Sequence, residues 1–280
     1  MPGFIFTQNH FSIVAIYNFA RSSKKIMSSG NGSVKLNSKK SIPVIKFFML
    51  LMAIGISQVS IAQKKDFGSW NVINTRLTLA PKFEIFNELQ LRSQSFYNNH
   101  FYYEVKGGIS YFIDKNFSFL AGIGKYVTYT DPGNFTKPVS ANEFRFWQQL
   151  TMNNYLKRIK FEHRYRVEQR WFDTGYRNRF RYRLNAAVPI NKKKIEAKTF
   201  YVAAFEEIFL TNKAPYFERN RFFAGVGYQI SPYFGIQPGY VYQYDYRNNI
   251  GAGKHFFQLT LMIDIDGNKN PNERIPGNLD

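Results

Sequence analysis

The sequence predicts an all-β fold: an antiparallel up-and-down transmembrane β-barrel of about 10–12 strands, following a cleavable signal peptide. Three observations predict it. Beyond Phe67 the hydropathy alternates with period two, in long runs separated by turn residues. Aromatic residues make up 18% of the 280 residues, with 29 Phe, 19 Tyr and 3 Trp, which suits a wall carrying aromatic belts at two membrane interfaces. A secretory signal stands ahead of the first run, and no later segment stays apolar for the roughly 20 residues that a spanning helix needs.

Residues 39–62 supply the signal peptide. Lys39 and Lys40 form its basic start, Ile42–Ile56 its apolar core, and Ser60 and Ala62 the small residues that place cleavage before Gln63. Residues 1–38 are expected to be an unstructured extension, with Met27 as an alternative start. Residues 1–62 hold seven basic residues and no acidic ones, so of the chain's 38 Lys and Arg, 31 remain against 19 acidic residues, a net +12. A surplus of this size suits a cationic surface, or an interior and loops that attract anions or acidic headgroups. The absence of cysteine removes disulfide frameworks, thiolate metal sites and thiol nucleophiles.

The barrel domain is expected over residues 63–265, and the polar, Asn- and Pro-rich residues 266–280 as a tail. Eleven runs follow one another: 67–79, 82–97, 100–113, 117–130, 142–156, 159–172, 176–190, 196–211, 218–230, 233–247 and 252–265. Most hold 12 to 16 residues, whereas globular strands average about five or six and a tilted membrane strand needs roughly 9–11. In the second run Phe83, Ile85, Leu89 and Leu91 share one face, with Glu84, Glu88, Gln90 and Arg92 on the other. In the third, Phe101, Tyr103, Val105, Ile109 and Tyr111 alternate with Glu104, Lys106 and Ser110. The sixth sets Phe161, Tyr165, Val167 and Trp171 against Glu162, Arg164, Arg166, Glu168 and Arg170. The seventh sets Tyr176, Phe180, Tyr182 and Leu184 against Arg177, Arg179, Arg181 and Arg183. Tight connections at 80–81, 114–116, 157–158, 191–194 and 231–232 alternate with ones that are longer on average, as periplasmic turns alternate with outer loops. Because single-chain bacterial barrels have even strand numbers, twelve strands are favoured over the eleven runs counted.

With the apolar faces toward lipid, the polar faces line an interior. The expected charge network there comprises Arg145, Glu162, Arg164, Arg166, Glu168, Arg170, Arg177, Arg179, Arg181 and Arg183, with Glu84, Glu88 and Glu104 answering from earlier strands; Glu143 shares the same arc, and Glu206 and Asp245 are further acids in reach. Arginine stays charged and pairs bidentately with carboxylates. Two readings stand: ion pairs that fill a narrow barrel, and a basic cavity or channel that draws anions.

No catalytic, cofactor-binding or metal-binding residue is expected, and no cofactor. There is no G-x-S-x-G, H-E-x-x-H or Ca²⁺ loop; His100 falls in a loop, and His163 and His255 fall on apolar faces. Gly122, Gly124, Gly225 and Gly227 lie in strand patterns with no following helix and mark places where bulky neighbours need room. The expected partners are outer-membrane lipid and small anionic solutes; the separation of most aromatics from the arginines argues against nucleic acid. The leading expectation is an outer-membrane barrel with a structural or binding role. The alternatives are a small anion-favouring pore, a membrane-embedded lipid hydrolase, and a soluble lipocalin-like binder.

The stretch from Gln63 to Ile265 resembles the bacterial outer-membrane family catalogued as domain of unknown function 2490, of the type common in Bacteroidota. Carrying the resemblance are Trp70, the hairpin Leu77–Arg92 (L-T-L-A-P-K-F-E-I-F-N-E-L-Q-L-R), the charged strand Glu162–Arg170 (E-H-R-Y-R-V-E-Q-R) and Arg177–Arg183 (R-N-R-F-R-Y-R). It implies an outer-membrane barrel and no particular activity.

Overall fold

The computed structural model describes residues 67–130, 134–136, 138–247 and 250–266. The expected extension, the signal peptide and residues 267–280 of the tail lie outside them. Eleven strands follow in chain order: β1 Phe67–Ala80, β2 Phe83–Ser95, β3 Asn98–Phe112, β4 Phe117–Tyr129, β5 Val139–Leu156, β6 Ile159–Phe172, β7 Gly175–Pro189, β8 Thr199–Thr211, β9 Phe217–Gln229, β10 Phe234–Arg247 and β11 Ile250–Asp266. Each begins and ends within about three residues of the run read from alternation, because a period-two pattern can satisfy only an extended chain with two unlike faces.

Neighbouring strands pair antiparallel from β1 to β11, and the sheet closes by a parallel ladder between β1 and β11, from Phe67 opposite His255 to Thr78 opposite Asp266. The expected up-and-down barrel of about 10–12 strands is what forms, with eleven strands in place of the favoured twelve and one parallel pair at the closure. An even count follows only if the closing pair must be antiparallel, but a parallel ladder also satisfies the backbone. The first strand therefore starts at the end opposite to where the last one finishes. We call the end carrying the β1–β2, β3–β4, β5–β6, β7–β8 and β9–β10 connections the lower end. Connection length does not separate the two ends: β7–β8 at the lower end and β4–β5 at the upper end each span nine residues.

The polarity of the wall is inverted relative to a soluble domain. Among the described residues, buried positions include 34 polar or charged residues and 17 apolar ones, while 39 large apolar or aromatic side chains are exposed. Outside, aliphatic residues such as Leu89, Val105, Ile123, Leu150 and Val167 lie between two aromatic rims. Phe83, Tyr111, Phe117, Tyr155 and Tyr233 form the lower rim; Phe96, Tyr97, Trp171, Tyr176 and Tyr216 form the upper. Polar groups on this face answer one another: Asn220 Nδ2 donates to Glu206 Oε1 at 2.5 Å, and His163 Nδ1 lies 2.9 Å from Tyr182 Oη.

Inside, two apolar clusters pack among the charges. One joins Trp70, Tyr201, Phe205, Phe223 and Phe256, the other Phe86, Tyr102, Tyr126 and Trp147. Large rings fit because glycine faces them on the neighbouring strand. A Cβ at Gly122 would lie 2.4 Å from the Trp147 ring, and one at Gly227 would lie 1.9 Å from that of Tyr201. Phe101, expected on the outer face, packs against both inner clusters. It is the extra residue where the β2–β3 register shifts, with Arg92 opposite Tyr102 and Ser93 opposite His100, and a bulge re-aims its side chain.

Candidate functional site: the charged interior

The interior is organised by register. On β6 and β7, Arg164 lies opposite Arg183, Arg166 opposite Arg181, Glu168 opposite Arg179, and Arg170 opposite Arg177. Arg145 of β5 lies opposite Arg170. Like charges directly across a ladder repel, so these rows depend on carboxylates, one within them and the others on neighbouring strands. Four glutamates supply them.

Glu207 on β8 receives four arginines. Arg164 Nη2 is 2.6 Å away, Arg181 Nη2 2.8 Å, Arg183 Nη2 2.9 Å and Arg221 Nη1 3.5 Å. Glu168 also receives four: Arg179 Nη2 at 2.5 Å and Arg181 Nη1 at 2.6 Å, with Arg166 and Arg145 at 3.7 and 3.9 Å. Glu218 meets Arg170, Arg179 and Arg177 at 3.1, 3.3 and 3.6 Å. Glu143 takes Arg145 Nε at 2.6 Å and also binds Arg170. Nine arginines thus share four carboxylates, and Glu168 and Glu207 are fully buried. Gln149 extends the network, accepting from Arg166 Nη2 at 2.7 Å.

The expected site residues separate into three places. Arg145, Arg164, Arg166, Glu168, Arg170, Arg177, Arg179, Arg181 and Arg183 meet in this network. Glu88 and Glu104 instead hold Lys106, at 2.6 and 2.8 Å, and Arg92 approaches Glu104 at 3.4 Å. Glu84, buried, and Glu162, half-buried, face a cavity at the lower end.

Glu207 and Glu218 were missed for different reasons. The expectation that Glu206 would answer the arginines is corrected: it faces outward, and Glu207 points in. In β8 both faces are rich in apolar residues (Tyr201, Ala203, Phe205 and Phe209 inside, Phe200, Val202, Ile208 and Leu210 outside), so alternation cannot tell them apart. Glu218 is the extra residue at the β8–β9 register shift, where Leu210 pairs with Phe217 and Phe209 with Arg219. The bulge turns Glu218 and Arg219 both inward. Asp245 does meet an arginine, accepting from Arg219 near the upper end.

Most of the exposed or buried aromatics lie on the outer face, as expected, but a substantial inner set packs against the arginines. Arg92 sits 3.5 Å over the Trp70 ring and 4.2 Å over that of Tyr102; Arg145 lies 3.5 Å over Tyr126, and Arg183 4.0 Å over Phe205. Guanidinium planes stack on rings and are less strongly hydrated than ammonium groups. This is how so many arginines share a dry interior with tryptophan and phenylalanine.

Water does not reach the middle of the network. Arg164, Arg166, Glu168, Arg181 and Glu207 are all buried. Below it lies a cavity of about 1210 Å³ whose walls come from β1–β7 and the connections of the lower end. Of the histidines, His163 and His255 sit on the outer wall, each beside a tyrosine hydroxyl. His100, expected in a loop, is the third residue of β3, at the upper rim.

Fold and interior together define a closed β-barrel, apolar outside and ion-paired within. The chain belongs to the family described as protein of unknown function (DUF2490), whose profile matches residues 67–252. No curated protein matches it. Among solved structures the chain is similar to LpxR from Salmonella typhimurium, at 10% identity and a TM-score of 0.44, over 74% of this chain and 93% of that one.

Proposed function

We propose that the protein is an integral outer-membrane β-barrel with a structural or ligand-binding role, its interior held shut by the Arg/Glu network. The inverted polarity carries this reading. A water-soluble domain of this size would not leave 39 large apolar side chains exposed while burying 34 polar or charged residues against 17 apolar ones. Lipid outside and ion pairs inside remove both costs at once. The two aromatic rims and the signal-like residues 39–62 agree with the same environment. A soluble lipocalin-like binder would carry the opposite pattern, an apolar interior and a polar wall.

A structural or binding role is favoured over an anion pore because the nine arginines of β5, β6, β7 and β9 are all engaged by carboxylates. The hydrolase alternative gains no support from the described histidines, which lie on the outer wall and upper rim. Fractionation followed by gel migration with and without boiling tests the membrane reading. Outer-membrane enrichment that survives a carbonate wash, with migration that changes on boiling, is expected. A soluble protein whose migration ignores heat contradicts it. In planar bilayers the protein is expected to be silent; steady conductance that changes selectivity with Arg179→Glu would favour the pore.

A further inference from the structure

The cavity at the lower end is left unused by the shut interior. Its volume, about 1210 Å³, exceeds the roughly 300–1,000 Å³ of ordinary small-molecule sites. Nine of its lining residues are Lys or Arg and three are Asp or Glu. The basic residues converge from separate parts of the chain. Lys82 comes from the β1–β2 turn, Lys115 from β3–β4, Lys157 from β5–β6, and Lys193 and Lys194 from β7–β8. All five are exposed at the mouth.

The floor adds a second observation. Arg164 lines the cavity and also belongs to the buried network, in which nine arginines share four carboxylates. Each arginine has an acid within reach, and in the ion pairs described the arginines outnumber the carboxylates. Surplus charge in a dry interior raises the local potential, and a concave, low-dielectric wall focuses it into the adjoining space. Arg164 lies five residues along β6, roughly 16 Å from its lower end at about 3.3 Å per residue. The cavity is therefore a deep cup with a cationic floor, not a shallow rim.

Its wall is also fixed in place. Arg158 Nη2 donates to the carbonyls of Pro189, Ile190 and Lys192, at 3.0, 3.2 and 2.5 Å. Lys192 in turn binds Glu196 at 2.9 Å, and Ile195 packs against the inner apolar cluster. The β7–β8 connection is thereby held beside the cavity, with Lys193 and Lys194 at its mouth. Ser110, Ser118, Thr151 and Asn153 supply neutral donors between mouth and floor.

We propose that this cup binds a ligand bearing two or more phosphate groups, the lysines steering it in and the Arg164 floor engaging one phosphate. Guanidinium groups suit phosphate by geometry, and lysines suit it as mobile point charges. This rests on the reading of the chain as a membrane barrel with a shut interior. The phosphates could belong to a free solute or to a lipid headgroup reaching over the rim.

The test is calorimetric titration of inorganic pyrophosphate into the full-length protein held in phosphatidylcholine nanodiscs. Saturable binding is expected, weakened at least tenfold in the triple variant Lys82→Gln, Lys157→Gln, Lys193→Gln, which alters only exposed side chains and should keep heat-modifiable migration. Repeating the titration with diacylglycerol pyrophosphate, a lipid whose headgroup carries two phosphates, in the disc assigns the source. Lost pyrophosphate binding then means that a lipid headgroup fills the cup, and unchanged binding means a free solute. No saturable binding, or equal binding by wild type and triple variant, overturns the cup. A protein that stays soluble and binds pyrophosphate without a membrane overturns the membrane reading instead, so the two failures are distinguishable.

Discussion

At the scale of single residues, the molecule depends on a few buried glutamates that each hold several arginines. Removing one partner of a buried ion pair strands the other, at a cost of about 3–5 kcal/mol. Glu207→Gln is therefore expected to lower stability by that order, since it withdraws charge from Arg164, Arg181, Arg183 and Arg221 together. Glu206→Gln, one residue away on the outer face, should stay within about 1 kcal/mol, in the range of surface substitutions. Urea unfolding of both variants in detergent, followed by tryptophan fluorescence, decides the comparison. Reversed costs would mean that the register of β8 is wrong by one residue, since a one-residue slip exchanges the faces; equal costs would mean that Glu207 does not hold the arginines. The glycines give a second residue-scale test. Gly122→Ala places a methyl group against the Trp147 ring, and overpacking of this kind costs about 1–3 kcal/mol. Trp147→Leu in the same chain should recover part of that loss; if the two costs simply add, the contact is not what makes Gly122 necessary.

At the scale of the strand, alternation was a reliable guide wherever the two faces differ chemically. β6 and β7 read without ambiguity because Arg and Glu occupy every second position and aromatic or aliphatic residues the others. β8 did not, because Phe205 and Phe209 face inward while Ile208 and Leu210 face outward, leaving hydropathy nothing to distinguish. Bulges hide a second kind of information. Phe101 and Glu218 each break period two locally, and their inward direction depends on how many residues oppose them in the partner strand, which no single strand records. Closure was hidden for a related reason, since the β1–β11 pair joins segments almost 200 residues apart and its direction is set by the whole count of hairpins. The parallel seam is directly testable because the chain has no cysteine. Asn71→Cys with Leu259→Cys, which are register partners, should cross-link on oxidation. Cross-linking of Asn71→Cys to Ile263→Cys in preference would contradict the register.

At the scale of the whole molecule, the decisive property is the exchange of inside and outside. Hydrophobic burial, which ordinarily collapses a chain inward, here drives the outer wall toward lipid, and the interior coheres through ion pairs and stacked arginines. The three tryptophans report on this division. Trp70 and Trp147 are buried in the interior, whereas Trp171 is 43% exposed on the upper aromatic rim. The most direct measurement is fluorescence of the protein reconstituted in vesicles of lipid brominated on its acyl chains, comparing wild type with Trp171→Phe. Wild-type emission should be partly quenched, and Trp171→Phe should lose that quenching while keeping the rest of its emission. Emission indifferent to brominated lipid in the wild type, or quenching that persists in Trp171→Phe, would show that the apolar wall does not face lipid.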